Sequence, residues 1–260
     1  MKRFRSAIRV GRFLAGALLS SALLAAPVQA ESMTFTMEHF PPFNADDNGM
    51  TVGPFPDIVR ATCAALKIPC VIETYPWRRA YRLVEEGQAD GIFVLLRTPE
   101  REKDFYFCDP LVQTAYAVFA NQASKFTYAA PKDLDGYTVG VYGPSGTSTA
   151  ADEIAKVVPG MKIVMEVDNP TVFRKLSGMR YGEKSAAVMN LDVGNYLLRR
   201  EQIAGIKAVG DIKRIDYTIG LSRKKVDEKQ AEKFNAALRA LIRNGTVKAI
   251  VEKYGMRPAP

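Results

Sequence analysis

Short apolar segments alternate with amphipathic helical patterns along most of this chain, and this alternation restricts the fold more than any other feature. Seven segments have the composition of buried strands, at residues 35–37, 71–74, 91–96, 139–141, 163–167, 186–189 and 218–221. Helical periodicity separates or follows them, at residues 57–66, 77–86, 147–158, 234–242 and 247–254. Strands that alternate with helices pair in parallel, because each helix carries the chain back across the sheet. The sequence therefore predicts an α/β fold with mostly parallel sheets covered by helices.

The first thirty residues differ in composition from the rest of the chain. Five basic residues precede an apolar run at 13–28, and Val28-Gln29-Ala30 has the small-x-small pattern of a cleavage site. Residues 1–30 are therefore predicted to be a secretory signal peptide, and the mature protein to begin near Glu31. The apolar run is shorter than the roughly 18 residues that a membrane-spanning helix needs. No cysteine stands at the cleavage site, so we expect an exported protein without a lipid anchor.

The basic character of the chain comes partly from this leader. The whole sequence carries 36 Lys and Arg against 28 Asp and Glu, a net charge of +8. Without the five basic residues of the leader, 31 basic residues face 28 acidic ones and the net charge is +3. No run of five like charges occurs, whereas nucleic-acid binding needs a clustered basic surface. A nucleic-acid partner is therefore not expected.

Three cysteines lie after the leader. Cys63 and Cys70 span the end of a predicted helix and the start of the next strand. An oxidising compartment would let them form a disulfide, and the alternative is two buried thiols that do not meet. Cys108 is expected to be a buried small side chain, because no Cys/His catalytic context surrounds it. His39 is the only histidine of the chain, so no metal site is expected.

Two polar interruptions divide the pattern of strands and helices, at residues 120–131 and 210–216. A strand and two helices still follow the second interruption. We therefore expect a first lobe from residues 31–119 and 216–260, and a second lobe from residues 120–215. Two lobes joined by two chain crossings enclose a cleft, where α/β proteins commonly bind ligands.

Several motifs carry a resemblance to a known family: GPFPDI from Gly53, WRRAYRLVEEGQADG from Trp77, RTPERE from Arg97, FCDPL from Phe107, LDGYTVGVYGPSGT from Leu134, YTIGLSRK from Tyr217 and FNAALRALIRNGTVKAIVEKYG from Phe234. The mature chain resembles the bacterial extracellular solute-binding proteins of family 3, the periplasmic receptors of polar amino-acid ABC transporters. The resemblance implies a periplasmic-binding-protein-like fold of type II, with two α/β lobes, a two-stranded hinge and a ligand cleft between them. It also implies a periplasmic monomer that binds a carboxylate-bearing small molecule, needs no cofactor and serves an inner-membrane ABC permease. The spacing of Cys63 and Cys70 resembles a disulfide of some members.

The resemblance assigns one side of the cleft to the segment after the first strand. It places an acidic group at Glu38 and an aromatic ring at Phe40, on a loop stiffened by the two prolines that follow. Trp77 matches a second aromatic residue, so that two rings would enclose an apolar or cationic ligand body. The alternative is that both rings belong to the core of the lobe. His39 is expected to face away from the cleft, since neighbours on an extended chain alternate sides.

Arg101 is the strongest candidate for binding a ligand carboxylate. In the family, the arginine of a T-x-x-R element like that at residues 98–101 grips this group, and a guanidinium fork matches carboxylate geometry. The alternative for Arg101 is a surface salt bridge. From the second lobe, the resemblance implies backbone N–H groups of Ser145, Gly146 and Thr147, at the start of a helix, where an anion is favoured.

Three residues depart from the family pattern and leave the ligand open. Leu96 stands where amino-acid binders offer a hydroxyl to the carboxylate, and Tyr142 takes a place that is often polar or basic. Asn190 stands where the family places an aspartate for the α-ammonium, and an amide lacks that charge. Either Glu38 holds an ammonium instead, or the ligand has no α-amine.

The favoured hypothesis is a binding protein that closes on a small carboxylate-bearing solute, an amino acid or derivative, and passes it to a permease. One alternative is an enzyme similar to cyclohexadienyl or arogenate dehydratases, which resemble this family. Glu38 would then be the acid, with Asp192 as a second candidate. The sequence contains no matched acid and base, nucleophile elbow or phosphate loop, so no catalytic residue is expected. The other alternative is a receptor whose closed form acts on a membrane sensor.

Overall fold

The computed structural model describes residues 32–260, so the predicted signal peptide lies outside the described residues. The strands of this part are β1 (Met33–Met37), β2 (Ala45–Asp47), β3 (Met50–Val52), β4 (Cys70–Thr74), β5 (Gly91–Leu95), β6 (Phe105–Phe107), β7 (Val112–Asn121), β8 (Thr138–Tyr142), β9 (Lys162–Glu166), β10 (Ser185–Asn190), β11 (Ile206–Ser222) and β12 (Arg257–Pro258). The α-helices are α1 (Pro54–Leu66), α2 (Trp77–Glu85), α3 (Gly146–Val157), α4 (Asn169–Ser177), α5 (Leu191–Arg200), α6 (Glu228–Arg243) and α7 (Thr246–Lys253). None of these helices is both long and apolar enough to cross a membrane.

One continuous sheet contains ten strands. Eight of them follow the order β4-β1-β5-β11-β7-β10-β8-β9, and the other two are β6, which pairs with β11, and β12, which pairs with β7. β4, β1 and β5 are parallel to one another and form the first half of the sheet. β10, β8 and β9 are likewise parallel and form the second half. The long antiparallel strands β7 and β11 connect the two halves, because β7 pairs with β10 while β11 continues beside β5. The helices α1, α6 and α7 pack on one another, whereas α3 and α4 contact β8.

Four helices begin at a residue whose side-chain oxygen accepts a backbone N–H of the first turn: Ser145, Asp168, Asn190 and Asp227. Such a cap satisfies a donor that has no acceptor inside the helix. Three of these caps stand at the ends of strands of the second half: Ser145 after β8, Asp168 after β9 and Asn190 at the last position of β10. The chemistry that starts these helices therefore also places polar side chains at the ends of the strands.

The seven predicted strands and the five predicted helices are all present. The sequence does not predict the short strands β2, β3, β6 and β12, nor β7, α4, α5 and the first part of β11. Residues 210–216, which the sequence marks as an interruption, lie inside β11. Many of these side chains are polar and exposed, yet the backbone stays extended because it pairs with β7. Register shifts at Ala208/Gly210 and Asp211/Lys213 interrupt the alternation that would reveal a strand.

A disulfide joins the end of α1 to the start of β4, as predicted. It links Cys63 with Cys70, whose Cα atoms lie 6.1 Å apart. Between them, Lys67 adopts a left-handed conformation with φ of 57° and ends the helix. Cys108 is buried and is not part of a disulfide, and burial raises the pKa of its thiol. The helix end and the neighbouring strand are therefore fixed covalently, away from the pocket described below.

Candidate functional site

A pocket of about 240 Å³ lies at the carboxyl ends of parallel strands from both halves of the sheet. Glu38 follows β1 and Leu96 follows β5, whereas Tyr142 ends β8 and Asn190 ends β10. Parallel strands of one sheet end at the same edge, which is where α/β proteins bind ligands. The ten residues that the sequence assigns to a ligand all line this pocket: Glu38, Phe40, Trp77, Leu96, Arg101, Tyr142, Ser145, Gly146, Thr147 and Asn190.

The segment after β1 reaches the pocket through a closed turn. Phe40 N–H donates to the Asn44 carbonyl oxygen at 2.9 Å, and Asn44 N–H donates to the Phe40 carbonyl oxygen at 3.3 Å. The side chain of Asn44 folds back, so that its Nδ2 donates to the carbonyl oxygen of Glu38. Asn44 is 2% exposed, and its Oδ1 has no hydrogen-bond partner within residues 32–260. The wall of the pocket therefore contains a buried amide oxygen that lacks a donor.

The carboxyl of Glu38 also belongs to the lining of the pocket. Its burial raises the pKa of the carboxyl, while a hydrogen bond from the backbone N–H of Trp77 acts in the opposite direction. A cationic partner would stabilise the ionised form, because desolvation penalises an uncompensated charge. His39 is exposed instead, and its Nδ1 accepts the N–H of Asp46 at 3.1 Å, outside the pocket lining.

Arg101 enters the pocket from a short 3-10 turn, Arg101–Lys103, that follows β5. Its Nη1 donates to the carbonyl oxygen of Leu96 at 2.9 Å. Its guanidinium carbon lies 6.0 Å from the ring centroid of Trp77 and 5.6 Å from that of Tyr81. In the part of the chain that the structure describes, no carboxylate forms an ion pair with this guanidinium. These contacts hold the guanidinium in place without neutralising its charge, which suits it to bind an anion.

The first turn of α3 forms the pocket wall that belongs to the second half of the sheet. Ser145 Oγ accepts the N–H of Ser148 at 3.1 Å, and Ser148 Oγ accepts the N–H of Ser145 at 2.9 Å. The N–H of Ser145 therefore already has an acceptor within this turn. Gly146 and Thr147 are the first two helical residues, and their N–H groups have no acceptor inside the helix. These two N–H groups, at the positive end of the helix, are suited to an anion.

Asn190 is 3% exposed and joins β10 to α5. Its Oδ1 accepts the N–H groups of Asp192 at 3.0 Å and Val193 at 3.2 Å, and the hydroxyl of Thr114 at 3.3 Å. These bonds fix the orientation of the amide. Among the described residues the Nδ2 makes no hydrogen bond of standard geometry, and it approaches the hydroxyl of Tyr217. Asn190 therefore contributes a buried N–H donor, and no negative charge, to the pocket wall.

Other residues line the pocket that the sequence analysis does not single out: Asn44, Phe93, Val94, Tyr116, Pro144, Asn169 and Tyr217. Tyr116 and Tyr217 lie on β7 and β11, and burial raises the pKa of both hydroxyls. Tyr116 lies in the apolar run at residues 115–120, a strand signal that the sequence analysis missed. Asn44 directly follows Pro-Pro-Phe at residues 41–43, so its place in the segment after β1 could have indicated a position in the pocket. Val94 has a φ of 58°, a left-handed conformation that is a genuine outlier for a β-branched residue.

Two charged residues near the pocket in sequence do not line it. Arg97 forms an exposed ion pair with Glu102 at 2.5 Å. Asp192, the second acid that the sequence considers, lines a separate depression together with Arg214 and Arg257. Within residues 32–260, no group of three His, Cys, Asp or Glu side chains is placed to hold a metal ion.

The chain is similar in sequence and in fold to known proteins. The model of the bacterial extracellular solute-binding proteins, family 3, matches residues 33–257. The L-arginine-binding protein of Pseudomonas aeruginosa is 27% identical over 223 residues, which cover 83% of this chain and 84% of that protein. A histidine kinase sensor domain with similarity to periplasmic binding proteins superposes with a TM-score of 0.73 at 18% identity, covering 89% of this chain and 99% of that chain. An ancestral arginine-binding protein bound to arginine has a TM-score of 0.71 at 25% identity, covering 86% of this chain and 97% of that chain.

These structural likenesses confirm the predicted fold class, the periplasmic-binding-protein-like fold of type II. The parallel strands of the two halves and the pair of connecting strands correspond to its two α/β lobes and its hinge. The family model matches almost the entire described part of the chain. This chain therefore belongs to the bacterial extracellular solute-binding proteins, family 3.

Proposed function

We propose that this protein is a periplasmic binding protein for a small carboxylate-bearing solute, an amino acid or a derivative of one. The observation that carries the proposal is the pocket lined from both halves of the sheet, in which Arg101 has no carboxylate partner among the described residues. Its volume of about 240 Å³ suits a molecule of the size of an amino acid. Family membership and the relatives named for arginine binding support an amino-acid ligand.

In this proposal the ligand carboxylate binds to Arg101 and to the N–H groups of Gly146 and Thr147. The guanidinium offers two parallel charge-assisted hydrogen bonds, and the helix start adds partial positive charge. Phe40 and Trp77 flank the body of the ligand. Because Arg101 follows a strand of the first half and Gly146 follows a strand of the second, a ligand that contacts both favours a closed arrangement.

Closure is a shift of population between open and closed forms. The two moving lobes are residues 31–119 with 216–260, and residues 120–215, and the connecting strands β7 and β11 serve as the hinge. Ligand contacts from both lobes stabilise the closed form. The signal peptide at residues 1–30 exports the protein to the periplasm, where the closed monomer delivers its solute to an inner-membrane ABC permease.

The single acidic residue of the described pocket lining supports a binding role rather than a catalytic one. Glu38 is the one acidic residue of the described lining, so this lining offers no second carboxylate for a matched acid and base. The likeness to a histidine kinase sensor domain, at 18% identity, concerns the fold and does not favour a sensor over a transporter component. Binding followed by delivery to a permease is therefore the favoured function.

A thermal-shift screen of the mature protein tests this proposal. The screen compares amino acids with their decarboxylated amines and with small mono- and dicarboxylates. A ligand that binds only the folded state stabilises it by about 2.7 kcal/mol at a hundredfold excess over Kd. We expect a clear shift with at least one carboxylate-bearing compound and no shift with its matching amine. Shifts with amines alone, or turnover of prephenate or arogenate, would contradict the proposal.

A further inference from the structure

The charges that line the pocket balance one another. Among the described residues of its lining, Glu38 is the one acid and Arg101 the one base. The remaining lining consists of aromatic and aliphatic side chains, hydroxyls, Gly146 and the amides of Asn44, Asn169 and Asn190. The lining therefore carries one negative and one positive group.

This balance limits the net charge of a ligand that the closed pocket can stabilise. A zwitterion with one carboxylate and one ammonium supplies a partner for Arg101 and a partner for Glu38. An amino acid with a cationic side chain brings a second positive group, for which the lining has no second carboxylate. Enclosing an unpaired charge is unfavourable, because the pocket replaces water with groups that do not compensate it.

The two fully buried amides favour the same arrangement. The Oδ1 of Asn190 is occupied by backbone N–H groups, so the atom left over is the donor Nδ2, whose neighbouring polar group is the hydroxyl of Tyr217. An N–H donor cannot pair with the N–H groups of an ammonium or a guanidinium. At Asn44 the situation is reversed, because Nδ2 is engaged by the Glu38 carbonyl and the acceptor Oδ1 lacks a partner. Among the lining residues, acceptors without partners are therefore found at Asn44, which is bonded to the Glu38 backbone, and at Asn169, but not at Asn190.

We propose that the pocket selects net-neutral zwitterions over cationic amino acids, holding the ligand ammonium at Glu38 and Asn44 rather than at Asn190. This inference rests on the proposed function and narrows its ligand class. It separates this chain from its relatives that are named for binding arginine. The specificity-determining residues are Glu38 and Asn44, which accept the ammonium, and Asn190, which withholds a second negative charge.

Titration calorimetry with the mature protein tests this inference. The probes are L-leucine, L-phenylalanine and L-glutamine as neutral zwitterions, L-arginine and L-lysine as cationic amino acids, and 4-methylpentanoate, the amine-free analogue of leucine. We expect at least one zwitterion to bind at least tenfold more tightly than either cationic amino acid or the amine-free acid. Equal or tighter binding of arginine or lysine would overturn the inference while leaving the proposed function standing. Binding of the amine-free acid alone would also overturn the inference and leave the proposed function standing. If no probe bound in calorimetry and none raised the melting temperature in the thermal-shift screen, both the inference and the proposed function would be overturned.

The variant Asn190→Asp provides an independent test. Aspartate caps a helix as well as asparagine does, and here it adds a second carboxylate to the lining. We expect the preference for neutral zwitterions over arginine to fall by about tenfold to a hundredfold, as one added charged bond implies. Asn244→Asp is the matched control, because Asn244 Oδ1 also accepts the N–H two residues later, from Thr246 at 3.0 Å, outside the pocket. An unchanged preference in a folded Asn190→Asp protein, as in the control, would overturn the inference.

Discussion

The hydroxyl of Tyr116 occupies the space where a β-carbon on Gly146 would lie. Tyr116 belongs to the connecting strand β7, and Gly146 is the first residue of α3. Both residues line the pocket. The absence of a side chain at Gly146 therefore lets the start of a helix, with its N–H groups, pack directly against a residue of the hinge.

Replacing Gly146 by alanine tests this packing. Gly146→Ala should weaken ligand binding by about tenfold or more, because either Tyr116 or the first turn of α3 must move and overpacking costs about 1–3 kcal/mol. The measurement is the Kd of an identified ligand together with the melting temperature. The double variant Gly146→Ala/Tyr116→Phe removes the overlapping oxygen and should recover part of the loss in a double-mutant cycle. Additive effects of the two substitutions would show that the contact does not couple them.

Replacing Arg101 by alanine tests the carboxylate site. Arg101→Ala should weaken binding by about tenfold to a hundredfold, because a hydrogen bond to a charged group contributes about 1.5–3 kcal/mol. The control is Arg97→Ala, four residues earlier, whose side chain is 65% exposed and pairs with Glu102 outside the pocket. Calorimetry should show a Kd that changes only in the Arg101 variant. An equal effect of both substitutions, or of neither, would remove Arg101 from the site.

The raised pKa of Glu38 predicts that affinity depends on pH. Burial raises the pKa of this carboxyl, so its contribution to the stability of the empty protein is present at low pH and is lost as pH rises through the raised value. A ligand ammonium favours the ionised carboxyl. Affinity should therefore be highest above the raised pKa and should fall as pH drops through it, at pH values above the ordinary range of glutamate. In Glu38→Gln, affinity should be lower and flat across this window, and an unchanged pH profile would exclude Glu38 as the titrating group.

The disulfide should stabilise the fold without affecting the pocket. Cys63 and Cys70 are seven residues apart, and cross-linking a loop of this size contributes about 2–3 kcal/mol in the chain-entropy estimate. The double variant Cys63→Ala/Cys70→Ala should therefore melt at a lower temperature, whereas its Kd for a ligand should equal that of the parent. Neither cysteine lines the pocket. Reductant should lower the melting temperature of the parent protein and leave that of the variant unchanged.

The sequence predicts the parts of the fold whose signals are local. Each predicted strand is a short apolar run, and each predicted helix has an apolar face, because burial against neighbouring layers requires these patterns wherever the element is placed. The motif resemblance identifies ten residues that line the pocket. Most of them lie at the ends of strands or the starts of helices, which meet at one edge of the sheet. β7 and the start of β11 are not predicted. β7 carries a local signal that the prediction missed, the buried apolar run at residues 115–120, whereas the exposed stretch around residues 207–214 carries no apolar alternation and is extended because it pairs with β7.

By itself, the sequence predicted the class of fold, the disulfide between Cys63 and Cys70, and ten of the residues that line the pocket. Only the tertiary structure decided which atoms of those residues remain without partners. Hydrogen bonds engage the N–H of Ser145, the Oδ1 of Asn190 and the Nδ2 of Asn44, and thereby leave Asn190 with a donor and Asn44 with an acceptor. Which half of an amide is engaged depends on neighbours that only folding brings within hydrogen-bonding distance, such as Thr114, which is 76 residues from Asn190.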